Sequence, residues 1–150
     1  PRVGGFEGGT VTWAPTHMAY GKNNRSAMLR LPQSRFAIEN RAADMCMNPY
    51  LSLAMTSAAM TEGVVNNYSP GEPLNSDLYN MDPAAIKESG AQRLPRNLLE
   101  ALETLQTDEL ALKVLGEPLR NSFLQYKFDE WERYHQTVTD WEVTEYLRLY

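Results

Sequence analysis

The hydrophobic and polar positions along this chain change their period twice. Between Thr16 and Asp44, apolar residues come in short alternating runs, the two-residue repeat of half-buried strands. Ser26-Ala27-Met28-Leu29-Arg30-Leu31 ends at Pro32, and Arg35 to Arg41 follows after the Gln33-Ser34 link. Two runs this close are expected to pair as a hairpin, with an irregular turn at Pro32. The repeat puts Glu39 and Arg41 on one face and Ile38 and Asn40 on the other. A carboxylate beside a guanidinium is commonly a plain salt bridge. In a cleft the same pair binds a metal and an anion.

At Asn48-Pro49 the pattern turns helical, with an N-cap followed by a proline in the first turn. The body from Tyr50 to Met60 is apolar or small all round and ends near Gly63, so it predicts a helix buried on most sides. Met45, Met47, Met55 and Met60 read as core filler. Residues 66–83 are turn-rich and predict a loop. Helices resume in 84–150. Asn97 to Glu100 has capping-box spacing, and Leu98, Leu102 and Leu105 form a stripe. Asp108 can cap a helix that stops at Gly116, and from Pro118 a long helix carries Leu124, Phe128, Trp131, Tyr134 and Val138. Thr139-Asp140-Trp141-Glu142, a second capping box, predicts a break and a last short helix. Ahead of all this, residues 1–15 are glycine-rich and read as a mobile loop. Gly4 to Gly9 lacks the lysine and hydroxyl of a phosphate-binding loop.

Composition narrows the function. The chain has 150 residues, 43% of them hydrophobic, enough for one domain or a large piece of one. A net charge of −5 argues against nucleic-acid and anionic-membrane partners, and no apolar run is long enough to span a membrane. No basic stretch followed by an apolar core marks a signal peptide, and Cys46 alone rules out an internal disulfide; both fit a cytoplasmic protein. Pro1 in place of Met leads us to expect a fragment or processed product. The charge is uneven: residues 1–45 carry six bases (Arg2, Lys22, Arg25, Arg30, Arg35, Arg41) against three acids. Arginine suits bidentate recognition of phosphate and carboxylate, so this cluster is the first functional lead.

Three ordered motifs add a resemblance. Asn24-Arg25-Ser26 through Leu31-Pro32, then Ile38-Glu39-Asn40-Arg41-Ala42-Ala43-Asp44, then Asn48-Pro49-Tyr50-Leu51 resemble the C-terminal part of the glutamine synthetase family. Ser69-Pro70-Gly71-Glu72, Asp77-Leu78-Tyr79, Leu94-Pro95 and the closing Glu130-Trp131 to Trp141-Glu142 extend the likeness over nearly the whole chain. It implies an α+β architecture, part of a catalytic domain with antiparallel strands followed by packed helices. Residues 1–15 would be a flap or loop, 16–44 strands, 48–64 a buried helix, 66–83 a loop and 84–150 helical.

The resemblance also implies a reaction. The γ-carboxylate of glutamate attacks ATP to give γ-glutamyl phosphate, and ammonia or an amine then displaces phosphate. By motif position, Glu39 matches a metal-binding carboxylate (Mg²⁺ or Mn²⁺) and Arg25 the arginine near the transferred phosphate. Arg30 matches a nucleotide-phosphate contact, and Arg41 the arginine that holds glutamate and its acyl phosphate. Ala37 stands where an arginine is usual, and Arg35 is expected to reach the nucleotide instead. Trp13 stands where ammonia-using members carry a flap glutamate. Tryptophan neither takes a proton nor attracts ammonium, so an organic amine is the expected acceptor. The structural alternative is a packed flap tryptophan, with another acid such as Glu7 swinging in. Tyr79 matches a loop tyrosine that some bacterial members adenylylate and that also occurs in members without such control. His17 and His135 do not match the family's metal histidine.

The further metal ligands lie upstream, so residues 1–150 alone are expected to be inactive, and full-length members assemble as homo-oligomeric rings. Two alternatives stay open: an ordinary glutamate–ammonia ligase with an altered flap, and an inactive binding or assembly subunit. Retention of Arg25, Arg30, Glu39 and Arg41 together weighs against the latter.

Overall fold

A computed structural model of the protein describes residues 14–147 and Leu149. The chain forms two compact units that divide between Leu94 and Pro95.

In the first unit, strands β1 (His17–Lys22), β2 (Ala27–Leu31), β3 (Glu39–Asn40) and β4 (Gln92–Arg93) make one sheet in the order β3-β2-β1-β4. The expected hairpin is present: β2 and β3 are antiparallel, with Leu29 opposite Asn40 and Arg30 opposite Glu39. Its second arm is short, because residues 32–38 form the connection and Phe36 projects into solvent. β4 pairs antiparallel with β1, but β1 and β2 run parallel, with Tyr20 opposite Leu29 and Lys22 opposite Leu31. The α+β class holds, while the antiparallel expectation is corrected at that pair. A parallel pair ordinarily needs a crossover of about a dozen residues. Here residues 23–26 suffice. Asn23 adopts a left-handed turn (φ 54°), and the side chains of Asn24 and Ser26 bond to residues 74–78.

Helix α1 (Pro49–Val65) starts where the sequence predicts, with Asn48 Oδ1 accepting from the N–H groups of Tyr50 and Leu51. Its expected burial is not supplied by the described residues. No α1 residue is buried, and Tyr50, Leu53, Met60 and Val64 are exposed, as are Met45 and Met47. Of the methionines read as core filler, Met45, Met47 and Met60 are therefore exposed, and Met55 is half-buried. Helix α2 (Pro83–Glu88) is capped by Asp82. β4, inside the stretch predicted as helical throughout, is too short to leave a periodic signal. The buried residues of this unit include Ala14, Ala27 and Leu78, together with the polar Asn24 and Ser26.

The second unit is helical. In α3 (Leu98–Thr107), Asn97 caps the Glu100 N–H, while the Glu100 carboxylate reaches back to Arg96 N–H rather than to Asn97. In α4 (Glu109–His135) the predicted stop at Gly116 is a kink, with φ 71° at Gly116 and Pro118 just beyond. Leu102, Ala111 and Leu124 are buried, whereas Tyr134 and Val138 at the far end of the predicted stripe are exposed. The Thr139–Glu142 capping box starts α5 (Asp140–Tyr146).

Candidate active site

The β2–β3 register decides which charges meet. Arg30 and Glu39 sit directly opposite, and Arg30 Nη1 donates to Glu39 Oε2 at 2.7 Å. Arg35 comes from the connecting loop and donates through Nη2 to Glu39 Oε1 at 2.6 Å. Each carboxylate oxygen thus carries one guanidinium contact. The Arg30 hydrogen bond, aided by the charges of Arg30, Arg35 and Arg41, holds the Glu39 carboxyl below its ordinary range; burial opposes this. Arg30 also donates to Asn23 Oδ1, while its Nε is buried with no partner among the described residues.

The alternation rule put Glu39 and Arg41 on one face, yet the hydrogen-bond partners seen for Glu39 are Arg30 and Arg35. Arg41 acts on Glu39 at longer range. It leaves the end of β3 with its N–H on the Met28 carbonyl at 2.8 Å, and its Nε donates to the Arg25 carbonyl at 3.0 Å. Arg25 itself is exposed and lines a cavity of about 400 Å³ with Asn23, Asn24, Ser26, Asn75 and Asp77. The sequence analysis named Arg25, Arg30, Arg35, Glu39 and Arg41 as site residues but not Asn24 and Ser26, whose side chains tie the Arg25 segment to residues 74–78. The available signal was two small polar residues flanking an arginine between apolar runs.

A second cavity, of about 330 Å³, lies among Thr16, His17, Leu78, Tyr79, Pro83, Ile86 and Arg93. Tyr79 donates to the Ala14 carbonyl; burial pushes its phenol up, with Arg41 pulling the other way. His17 touches Thr16 Oγ1 at 2.9 Å, and burial followed by the charge of Arg93 lowers its pKa. His135 contacts the Trp131 carbonyl at 2.8 Å and packs on the Trp131 ring. Trp13 and Glu7 lie outside the described residues.

Among the described residues no group of three or more His, Cys, Asp or Glu could hold a metal ion. Glu39 fits a divalent ion only as one ionised oxygen donor among ligands from elsewhere. The arginine set, with Arg25 exposed at the cavity, has the charge to suit a polyphosphate.

A family model described as "Glutamine synthetase, catalytic domain" matches residues 10–146. A glutamate–methylamine ligase of Methyloversatilis universalis is 43% identical over 140 residues, which is 93% of this chain and 31% of that one. A glutamine synthetase of Thermus thermophilus is 39% identical, over 91% of this chain and 31% of its own length. Among solved structures, a GmaS–ADP complex aligns with a TM-score of 0.80 and 34% identity, over 99% of this chain and 33% of that one. The glutamine synthetase of Plasmodium falciparum, 19% identical, shares the fold at a TM-score of 0.70, over 90% of this chain and 35% of its own. The chain spans about a third of the length of these relatives.

Proposed function

Because this chain belongs to the glutamine synthetase family, we propose that the protein containing it is an ATP-dependent ligase that joins the γ-carboxylate of glutamate to an organic amine. The observation that carries this reading is the arginine set built around one ionised carboxylate, with Arg30 and Arg35 on Glu39 and Arg41 seated on the Arg25 backbone.

The chemistry needs that arrangement. A carboxylate oxygen of glutamate attacks the γ-phosphorus of ATP, the bond to the bridging oxygen breaks, and ADP leaves. The amine nitrogen then attacks the acyl carbon of γ-glutamyl phosphate, the C–O bond breaks, inorganic phosphate leaves and the nitrogen gives up a proton. In both steps negative charge gathers on phosphoryl oxygens, and fixed cations lower the barrier. We assign Arg25 to the transferring phosphoryl group, Arg30 and Arg35 to the nucleotide phosphates, and Arg41 to glutamate and its acyl phosphate. Guanidinium groups stay charged throughout, so none of these roles depends on a protonation equilibrium. Glu39 would contribute one ligand to a divalent ion, Mg²⁺ or Mn²⁺, which would supply charge neutralisation at the phosphates.

For the acceptor, Trp13 supports an organic amine, and the glutamate–methylamine ligase among the relatives agrees with it. The Thermus thermophilus relative favours a second reading, an ordinary glutamate–ammonia ligase. By analogy with its family we assign residues 1–150 to the C-terminal portion of the catalytic domain, in a homo-oligomeric, cytoplasmic protein. Phosphate release by the full-length protein with ATP, Mg²⁺ and glutamate tests this, with ammonium, methylamine, ethylamine and a diamine offered in parallel. Turnover with an organic amine well above ammonium is the expected result. Preference for ammonium selects the second reading, and silence with every acceptor removes both.

A further inference from the structure

Asn24 and Ser26, the two residues flanking Arg25, are 7% and 1% exposed, while Arg25 between them faces solvent. Asn24 Nδ2 donates to the carbonyls of Leu74 at 2.6 Å and Ser76 at 2.9 Å. Asn24 Oδ1 accepts from the Ser26 N–H at 2.9 Å and from Ser26 Oγ at 2.6 Å. Ser26 Oγ accepts in turn from the Leu78 N–H at 2.9 Å. A buried network this complete rigidifies the backbone that carries it, and losing any member strands a buried polar partner.

That backbone presents two things to the candidate site: the Arg25 side chain, and the Arg25 carbonyl that receives Arg41 Nε at 3.0 Å. We infer that Asn24 and Ser26 are positioning residues for phosphoryl transfer, clamping Arg25, and through its carbonyl Arg41, against residues 74–78. The inference rests on the ligase reading above for what the two arginines do. It adds the part that holds them. Groups acting on a transition state must be fixed to within about 0.5 Å, and a misplacement of about 1 Å can cost a hundredfold in rate. An arginine as exposed as Arg25, on a short link, gains that tolerance from a fixed backbone rather than from its rotamer.

The test uses the full-length protein and Ser26→Ala, which deletes the Oγ and leaves the Leu78 N–H without its acceptor. Three quantities are read: amide formed per ADP released, amide hydrogen exchange over residues 25–28, and melting temperature. The clamp predicts a fall in amide formation of about tenfold or more and a lower amide-to-ADP ratio, as acyl phosphate escapes to water. It also predicts faster exchange at 25–28, with the melting temperature lowered by only the few degrees that one stranded buried N–H costs. A ratio that stays at the wild-type value while both rates fall together means fewer folded molecules, and overturns the positioning role. Unchanged exchange at 25–28 overturns the clamp itself. If Ser26→Ala does not fold, Asn24→Ser takes its place: it drops both donors to residues 74–76 and keeps a hydroxyl acceptor. A wild-type protein silent with every acceptor removes the ligase reading, and the exchange comparison then still decides whether Asn24 and Ser26 hold this segment.

Discussion

Arg30 and Glu39 are direct cross-strand partners whose contact, 2.7 Å, joins the β2 and β3 arms of the hairpin. Arg35 closes on the second Glu39 oxygen at 2.6 Å, so one carboxylate organises two guanidiniums that come from different parts of the chain. Replacing Glu39 would therefore disturb both the proposed metal ligand and the spacing of the arginines.

Glu39→Gln in the full-length protein is expected to lower amide formation by about a hundredfold or more. The variant should remain folded, because Gln keeps one oxygen acceptor for the Arg30–Arg35 pair. Steady-state phosphate release together with a thermal melt checks this. Turnover within a few-fold of wild type would remove Glu39 from the site.

Acid should weaken the same hairpin. The folded Glu39 pKa lies below its ordinary value of 4.5, chiefly through the Arg30 hydrogen bond. A group depressed on folding stabilises the protein above its unfolded pKa and loses that contribution as pH falls through the folded value. Wild type should therefore lose stability below about pH 4.5 more steeply than Glu39→Gln does. Urea midpoints measured between neutral and acid pH test it. Parallel pH profiles for the two proteins would count against a depressed Glu39.

On the proposed reading, the acceptor preference turns on Trp13. Trp13→Glu restores a carboxylate where ammonia-using members carry one, and should raise ammonium turnover relative to methylamine by about tenfold or more. The readout is the ratio of kcat/KM values for the two amines in the full-length protein. A ratio that does not move assigns acceptor choice to residues other than Trp13.

These residues also show where reading the chain stops short. The start of α1 was legible because Asn48-Pro49 is local chemistry, and so was α5, whose Thr139–Glu142 capping box forms as predicted. The β2–β3 hairpin followed from two alternating runs close in sequence. The parallel β1–β2 pair was not legible, because it depends on residues 74–78, some fifty positions away. The all-round apolar character of α1 also calls for a cover without saying whether this stretch of chain provides one. At the site, alternation gave the face on which Glu39 lies. Only the cross-strand register could select Arg30 as its partner.

Gly21 is expected to tolerate no side chain. A Cβ there would stand 2.8 Å from Asn24 Cβ and would overlap the Leu74 carbonyl oxygen, which is itself an acceptor for Asn24 Nδ2. The colliding atom is backbone and cannot swing aside, so Gly21→Ala should destabilise the first unit by about 1–3 kcal/mol. Faster exchange at residues 74–78 should accompany the loss, and chemical denaturation measures it. A neutral substitution would mean that this strand and loop are less tightly apposed.

The last prediction concerns residues 1–150 produced alone. Tyr50, Leu53, Met60 and Val64 on α1 are exposed, with Met45 and Met47 just ahead of the helix, and no α1 residue is buried. A contiguous apolar surface of that kind drives association when nothing covers it. At the site, Glu39 is a lone carboxylate, and among the described residues no cluster could hold a divalent ion. The isolated segment should therefore self-associate and release no ADP from Mg-ATP and glutamate with any amine. Light scattering and a coupled ADP assay read the two properties separately. Replacing Leu53 and Met60 with lysine should reduce the association without restoring turnover, because the first is a matter of surface and the second of missing ligands. A monomeric segment, or one that turns over, would contradict this account of what these residues lack.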